Sequence, residues 1–586
     1  MLKRADVLAL CLSAQSPVNA SAHVTFINVT GVARHQPRNP REMFMTTRFS
    51  VLLSLVLVSI QNLATATVRC ANADLSQLVK VVYVSPQGND VVGCGQTATS
   101  PCKTIQQGIA NCSGASCGVL VRYGEYGTGN AINVADGISL YGSCVFDGTP
   151  YRYRSTIIGN PAIQANGVNK PTVIDGFVIL GSNAVNAGDA SVAFTVSNSA
   201  GLVLRENVIA SGKGGNGANG STPSAGAGQL GVIGNASTGG AGGLACASNP
   251  PSGSTGRGGK GADTRPISSS CNIPRGVCDC SERRDGPVST GANGVNSSSV
   301  LGGVGGPPGL PGCACNDGKS GNAGTGQNGS NGSMGAPGTQ GGAPNADTKG
   351  SFAGTTWRPN FSGTGAAGQV GSGGGGGGAG GFSALTGSGT NRNGYAGGGG
   401  GGGGCGGPGG TGAQQGGASV PLVLFASSGA GLAASNALIP GPGGQGGNGG
   451  TGAGGGSGGP GGLGFSGPQL FVSQTTVLGA PVCSGTVPGR GGSGGNGGQG
   501  GAGGGGAGGN GGPSFGIALV NSSPLSAGNI VIYPAQPGSG GGPGPGGQNN
   551  ATNKGPNGNA GSPGFSNDQN SIVSFTSLNS RTDSNQ

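Results

Sequence analysis

Histidine and acidic side chains, the groups that most often move protons in enzymes, are sparse and unevenly placed in this chain. The only two histidines, His23 and His35, precede residue 67, so the rest of the chain cannot build a Ser-His-Asp or Cys-His nucleophile site. No acidic residue lies between Asp347 and Asp568. That long stretch therefore excludes a carboxylate pair for glycoside hydrolysis and a calcium site built from carboxylates. Any catalytic site must lie before residue 348.

The cysteines indicate an oxidising compartment. Of fifteen cysteines, Cys11 stands alone near the start, and fourteen, an even number, follow residue 66. Even clusters in an exported chain predict disulfides, although spacing does not give the connectivity. The CDC and CAC pairs could instead bind zinc as four thiolates. The disulfide candidates form three groups: Cys70, Cys94, Cys102, Cys112, Cys117 and Cys144; Cys246, Cys271, Cys278, Cys280, Cys313 and Cys315; Cys405 and Cys483.

The stretch from Met45 predicts export. Arg48 precedes an apolar run over residues 49–60, and Ala64-Thr65-Ala66 follows it. A basic start, an apolar centre and small residues at the end are typical of a secretory signal peptide, here 45–66. Residues 1–44 then form a leader or a mis-annotated start. We expect an extracellular or cell-surface protein with no membrane span, since the apolar run is too short to cross a bilayer.

Residues 67–210 contain the elements that could position a site. Short β-branched strands recur between Gly and Asn turns, and Ile105 and Ile109 lie on one face of a short helix. The segment resembles the start of a pectin-lyase-like right-handed parallel β-helix over about residues 80–210. The matching positions are Tyr83, Val84, Ser85, Gly88, Asp90, Pro101, Lys103, Thr104 and Ile105, followed by GISLYGS and IDGFVI.

This resemblance implies an all-β solenoid with an N-terminal capping helix. It also implies where a lyase would place its calcium-binding acids and its basic residue, although the scaffold serves many functions. The hydrolase motifs of the family are missing. We favour a structural role for the candidates and predict no catalytic residue, no metal site and no cofactor. The candidates are Asp147, Asp175, Asp189, Arg205 and Glu206.

Residues 211–417 are a Gly-rich and Cys-rich insert, and 418–570 repeat a pattern of strand, turn, strand and Gly-rich arm. Apolar runs begin at residues 422, 469 and 516, a spacing of 47. Self-similarity at a fixed period predicts solenoid rungs of 47 residues. Residues 571–586 are predicted to be one short strand and a polar tail.

The glycine-rich arms read as Gly-Gly-X triplets, for example GGQGGNGGTGAGGGSGGPGGL at 443–463. A helix with three residues per turn would place every X side chain on one edge, which predicts polyglycine-II-like arms; flexible loops are the alternative. The composition resembles the glycine-rich bundles of some antifreeze proteins and phage tail tips, and the glycine-rich part of mycobacterial PE-PGRS proteins.

The expected function is a structural or adhesive surface protein that presents its arms to glycans or cell-surface components. A calcium-dependent polysaccharide lyase-like enzyme or glycan-binding module is the alternative, and ice or matrix binding by flat arms is a third hypothesis. Nucleic-acid binding is not expected, because the basic residues are scattered and only 4% of residues are aromatic. The sequence does not indicate an oligomeric state.

Overall fold

The computed structural model describes residues 78–566 and 572–576, apart from internal gaps. The signal peptide, Asp147, Cys70, Cys271, Cys278, Cys280 and Cys315 lie outside the described residues. For the strands at 312–313, 383–384, 474–477 and 480–483, only the backbone is described. The gaps are 113–115, 128, 146–153, 225, 228–230, 232, 236–237, 245, 247–255, 265–288, 297–300, 311, 314–323, 345, 382, 385–393, 434, 468–473, 478–479, 484–487, 523–529 and 551.

The described strands form three six-stranded sheets whose neighbours are all parallel. Strands are numbered in chain order. The first sheet contains β1 (Lys80–Val84), β2 (Cys117–Arg122), β5 (Ile138–Cys144), β8 (Thr172–Asp175), β11 (Leu202–Arg205) and β18 (Gly431–Leu432). The second contains β3 (Gly124–Gly127), β6 (Ser155–Gly159), β9 (Phe177–Gly181), β12 (Val208–Ala210), β19 (Asn436–Ile439) and β23 (Ile530–Ile532).

The third sheet contains β4 (Ile132–Val134), β7 (Ile163–Asn166), β10 (Ser191–Ser197), β17 (Ser419–Phe425), β22 (Ile517–Val520) and β24 (Ile572–Phe575). From β2 to β12 the chain visits the three sheets in turn, one strand in each, before returning to the first. This order is that of a parallel β-helix-like coil and confirms the all-β, parallel-sheet prediction. Its handedness stays a prediction. β24 lies in 571–586, where a short strand is predicted before the polar tail.

The core lies between the sheets and follows the alternation of the strands. In β7 and β9 the buried and less buried residues alternate, as expected when one face of each strand points inward. Phe177 of β9, Phe194 of β10 and Ile163 of β7 are fully buried in this core. A helix, α1 (Ile105–Asn111), adds Ile105 and Ile109 to the same core and packs against β1, β2 and β4.

Two buried asparagines stack where the chain turns from the first sheet to the second. Asn207 donates its side-chain N–H to Ile174 O at 2.8 Å and accepts from Phe177 N at 3.0 Å. In the next turn, Asn436 accepts from Asn207 N at 3.0 Å. Each asparagine follows a residue with positive φ, Glu206 and Ser435. These bonds satisfy buried backbone groups that the turn removes from the sheet ladder.

The structure differs from the predicted 47-residue rung. β17 pairs directly with β22, with Leu422 opposite Ile517, so no strand from the 469 repeat lies between them. Instead β20 (Gln474–Val477) pairs antiparallel with β21 (Ala480–Cys483). The reason is that the arm 441–465 runs away from the sheets and the arm 488–513 runs back towards them. The two arms are antiparallel and are joined by backbone hydrogen bonds. The spacing between paired strands of the third sheet is therefore two predicted periods, and the run that begins at residue 469 starts outside the described residues.

The described parts of the glycine-rich arms are joined to one another by backbone hydrogen bonds. Their backbone N–H groups donate to neighbouring arms at every third residue, as in Gly398 to Gly492 O, Gly401 to Gly495 O and Gly404 to Gly498 O, all at 2.9 Å. Three residues is the turn length of a polyproline-type helix, so the observed spacing is the one the triplet pattern predicts. We call this assembly of arms, residues 212–566 without the strands, the glycine bundle.

Two further short pairs complete the described strands. β13 (Gly312–Cys313) pairs parallel with β16 (Ser383–Ala384). β14 (Ser351–Ala353) and β15 (Thr356–Arg358) form an antiparallel hairpin. The hairpin contributes Phe352 and Trp357 to a second buried cluster on the third sheet, with Phe515 and Phe575. Among the described residues, no helix is long and apolar enough to cross a membrane.

Candidate functional site

Asp175 and Arg205 are brought together on the first sheet. They lie opposite each other on β8 and β11, and both Nε and Nη2 of Arg205 donate to Asp175 Oδ2, at 3.0 and 2.8 Å. The Asp175 side chain is 5% exposed and that of Arg205 is 41% exposed. Asp175 Oδ1 is buried with no hydrogen-bond partner. The two side chains therefore form a partly exposed ion pair that links neighbouring strands of the first sheet.

The two other acidic candidates that the structure describes, Asp189 and Glu206, have partners of their own. Asp189 accepts from Asn186 Nδ2 at 2.8 Å, and its carbonyl accepts from Gly215 N at the base of the first arm. Glu206 occupies a turn with φ of 52°, and its carbonyl accepts from Arg154 at 3.1 Å. The structure thus gives backbone or turn roles to both residues.

Tyr126 is a further titratable residue in this domain that the sequence did not single out. Its hydroxyl donates to Arg122 O at 2.7 Å. Burial raises the pKa of Tyr126 well above its ordinary value, and the nearby Arg122 charge opposes this only in part. The phenol therefore stays protonated and serves as a hydrogen-bond donor.

One group of potential metal ligands exists among the described residues, Asp90 with Cys94 and Cys102. Cys94 and Cys102 form a disulfide, so their sulfurs are not thiolates that could bind a metal. Asp90 Oδ1 accepts from the backbone N–H groups of Lys103 and Thr104 at 2.7 and 3.0 Å. The group therefore fixes the loop before α1, and its residues do not fit a metal site.

Disulfides join cysteines both within and between the groups in the sequence. Cys112 pairs with Cys117 in the first domain, and Cys144 is also disulfide-bonded. Cys246 pairs with Cys405, which are 159 residues apart. That pairing crosses the groups because the bundle places distant arms side by side.

The glycine bundle surrounds a central arm, 371–381, with six neighbouring segments. This arm donates hydrogen bonds to 289–295, 324–333 and 395–404, and accepts them from 259–262, 303–309 and 489–498. Consecutive residues point to different neighbours, as in Gly373 to Val295 O, Gly374 to Gly401 O and Gly375 to Ser330 O. Every residue of 371–381 is buried, and the arm contains no side chain larger than that of serine.

Side chains appear in the bundle where a neighbouring arm is missing. In the arm 489–512, every third residue from position 490 first carries a side chain longer than that of alanine: Arg490, Ser493, Asn496 and Gln499. Further along the same series the residues become small: Ala502, Gly505, Gly508 and Gly511. The last three donate to carbonyls of the arm 554–565, which covers only that end. A Cβ on any of the three would collide with backbone. Glycine is therefore required there by close approach of the chains.

Asparagine side chains replace the missing neighbours at the edge of the bundle. Ser493 N donates to Asn328 Oδ1 at 2.8 Å, and Asn496 N donates to Asn331 Oδ1 at 2.9 Å. Without the asparagines these edge N–H groups would have no protein acceptor. The same bridge recurs at other arm pairs, with Asn216, Asn219, Asn293, Asn296, Asn448, Asn496 and Asn557 as acceptors. The sequence signal is Asn-Gly at triplet spacing, which we did not interpret from sequence.

An aromatic and apolar cluster lies at the end of the bundle away from the sheets. Tyr395 and Phe465 pack edge to face, with ring centroids 5.2 Å apart. Leu463 and Ile233 are 63% and 61% exposed on adjacent arms, joined by a 3.1 Å bond from Gly234 N to Leu463 O. Arg490 is exposed on a third arm, where Gly491 N donates to Phe465 O. We call these five residues the distal cluster.

No family model and no curated relative matches the chain. A solved structure described as "Rhamnogalacturonan lyase" is similar over 22% of this chain and 38% of its own length, with 14% identity and a TM-score of 0.16. A likeness that partial carries no argument about activity. The parallel-sheet fold is therefore shown by the strand pairing. None of these comparisons supports the resemblance to PE-PGRS proteins.

Proposed function

We propose that the protein is an exported, non-catalytic scaffold that holds a rigid glycine bundle against a glycan or another surface component. The observation that carries this proposal is the bundle itself, in which a backbone hydrogen-bond lattice with mostly small side chains fills the described interior and the longer side chains lie mostly at the edges. Such an object offers a stiff, regular surface but no enclosed site for chemistry. The disulfides of the described residues favour an oxidising compartment.

In this proposal the sheets form a right-handed β-helix, and the arms are polyglycine-II helices. Two observations support it: the strands visit the three sheets in turn, and the lateral bonds recur every third residue. The β-helix aligns the base of each arm, so that successive arms meet in register without long side chains between them.

A binding assay tests the scaffold proposal. The full chain, purified from an oxidising host compartment, is incubated with insoluble polysaccharides and with cell-envelope fragments, and retained protein is measured. We expect saturable retention on at least one surface with no release of cleaved polymer. Retention that is not saturable, or no retention on any surface, would contradict the proposal. Gly401→Ala, which disrupts the bundle interior, should lose retention, whereas Gly342→Ala should keep it.

The lyase alternative rests only on the Asp175–Arg205 pair and has a separate test. The full chain is given acidic polysaccharides with and without calcium, and ultraviolet absorbance of the unsaturated product is followed. The scaffold proposal expects a flat trace. A rise that disappears in Asp175→Asn and Arg205→Ala would replace the scaffold proposal with an enzyme on the first sheet.

A further inference from the structure

We infer that the distal cluster is a binding site for an acidic polysaccharide, with Arg490 taking a carboxylate and the Tyr395–Phe465 pair packing against the sugar. This inference rests on the proposed scaffold function and names its ligand class and its site.

The placement of apolar residues is the first support. Phe352, Trp357 and Phe515 are buried at the base of the bundle against the third sheet, whereas Phe361 is exposed. Tyr395 and Phe465 instead lie half-buried at the opposite end, beside the exposed Leu463 and Ile233. Exposed apolar groups gathered in one place mark a contact surface more often than scattered ones do.

Charge is the second support. The arms that carry Tyr395, Phe465 and Arg490 all lie in the stretch 348–567, which has no acidic residue. Among the described residues, Arg490 takes part in none of the ion pairs. Its guanidinium is thus an exposed cation, and the arms that carry Tyr395, Phe465 and Arg490 itself contain no carboxylate. A planar guanidinium binds carboxylates through paired hydrogen bonds.

Rigidity is the third support. Backbone bonds at 2.8–3.1 Å hold each contributing residue: Tyr395 N to Gly489 O, Gly491 N to Phe465 O, and Gly326 N to Arg490 O. The cluster is therefore assembled from three arms whose relative positions are fixed by the lattice. A site built in this way loses little conformational entropy when a ligand binds.

The ligand follows from these three features together. An extended polymer fits this surface better than a small molecule would, because the exposed Leu463, Ile233 and Arg490 lie on different arms. The rings and the leucine match the apolar faces of sugar rings, and the arginine matches a uronate carboxylate. A neutral glycan would leave Arg490 without a partner.

The test uses alginate, a linear polyuronate, and the same polymer after chemical reduction of its carboxyl groups. Binding of the full chain is measured at low and high salt. We expect Arg490→Gln and Phe465→Leu each to weaken alginate binding roughly tenfold. Arg257→Gln, which removes an exposed arginine from the arm 256–262, should bind as the unchanged chain does. Carboxyl-reduced alginate should bind poorly.

Each other outcome overturns the inference. If the unchanged chain binds alginate and Arg490→Gln binds equally well, the site is elsewhere and the scaffold proposal stands. If Arg257→Gln weakens binding as much as Arg490→Gln, only general charge is involved. If reduced alginate binds as tightly as alginate, the ligand is not acidic. If alginate does not bind at all, the ligand class is wrong, and the polysaccharide and envelope assay decides the scaffold proposal independently.

Discussion

Glycine at the interior positions of the bundle lets neighbouring backbones approach closely, because it has no Cβ. Around Gly401, neighbouring arms approach so closely that a Cβ would collide with Gly459 O. Gly342 lies in the same bundle, yet a Cβ there would have nothing within 4 Å. The two positions look alike in the sequence and differ only in whether another arm lies against them.

Replacing Gly401 with alanine should destabilise the protein by about 3 kcal/mol, because the added methyl group forces two backbones apart. Gly342→Ala should be neutral or slightly stabilising, since alanine restricts the unfolded chain. Denaturant unfolding of both variants checks the prediction. Equal stabilities for the two would mean that the arms are not packed as described.

Asp136 provides a pH-dependent contribution at a turn of the solenoid. Its carboxylate accepts from Lys170 N at 2.6 Å and Asn169 N at 2.8 Å. The hydrogen bond from the Lys170 backbone N–H is the main reason why the pKa of Asp136 lies below its ordinary value. Desolvation raises this pKa, while the hydrogen bond from the Asn169 N–H and the charge of Lys170 lower it.

A lowered folded-state pKa means that the carboxylate stabilises the fold above the unfolded pKa of about 3.9. The contribution is lost as the pH falls through the folded pKa. Asp136→Asn should therefore lower the thermal midpoint at neutral pH, and the difference from the unchanged chain should shrink as the pH falls below the unfolded pKa of about 3.9. A difference that is constant with pH would contradict a charge effect at this turn.

At the scale of elements, the hairpin β14–β15 covers the outer face of the third sheet. Phe352 is fully buried and packs edge to face on Trp357 at 5.5 Å and on Phe575 at 5.0 Å. Trp357 is the only tryptophan in the chain, so its fluorescence reports on this contact alone.

Phe352→Ala should cost about 4 kcal/mol through lost burial and the cavity it leaves. It should also shift Trp357 emission to longer wavelength, because water reaches the indole. Phe361, 67% exposed, supplies the matched control, and Phe361→Ala should change neither property. Unchanged emission in Phe352→Ala would show that the hairpin does not depend on this cluster.

At the scale of the whole molecule, the bundle depends on a strict three-residue repeat. Consecutive residues of a central arm donate hydrogen bonds to different neighbouring arms. The position of a residue within its triplet therefore decides which arm its N–H faces. A change in the length of an arm therefore acts on every lateral bond beyond it.

One glycine inserted after Gly503 should rotate the following residues away from their partners and place Asn510 in the wrong direction. Inserting three residues, Gly-Ala-Gly, keeps every direction and shifts the pairing by one turn. We expect the single insertion to be far more damaging to hydrogen-exchange protection of 504–512 than the triple one. Equal damage would show that the arms do not require the triplet phase.

The sequence by itself determined much of the local structure. Alternating β-branched strands and Gly or Asn turns predicted the parallel-sheet region, because burial on one face imposes that alternation. The Gly-Gly-X triplets predicted the three-residue spacing of the lateral bonds for a similar reason, since the period of a helix is a local property of the backbone.

Only the tertiary structure decided which residues become neighbours. It joined Cys246 to Cys405, set the spacing between paired strands of the third sheet at two predicted periods, and gathered Tyr395, Phe465 and Arg490 at one end. It also decided where glycine is obligatory and where asparagine completes an edge. These are contacts between arms that are distant in the sequence. Because the Gly-Gly-X triplets are nearly identical, their sequence does not show which triplet of one arm pairs with which triplet of another. The register is set where the arms leave the sheets.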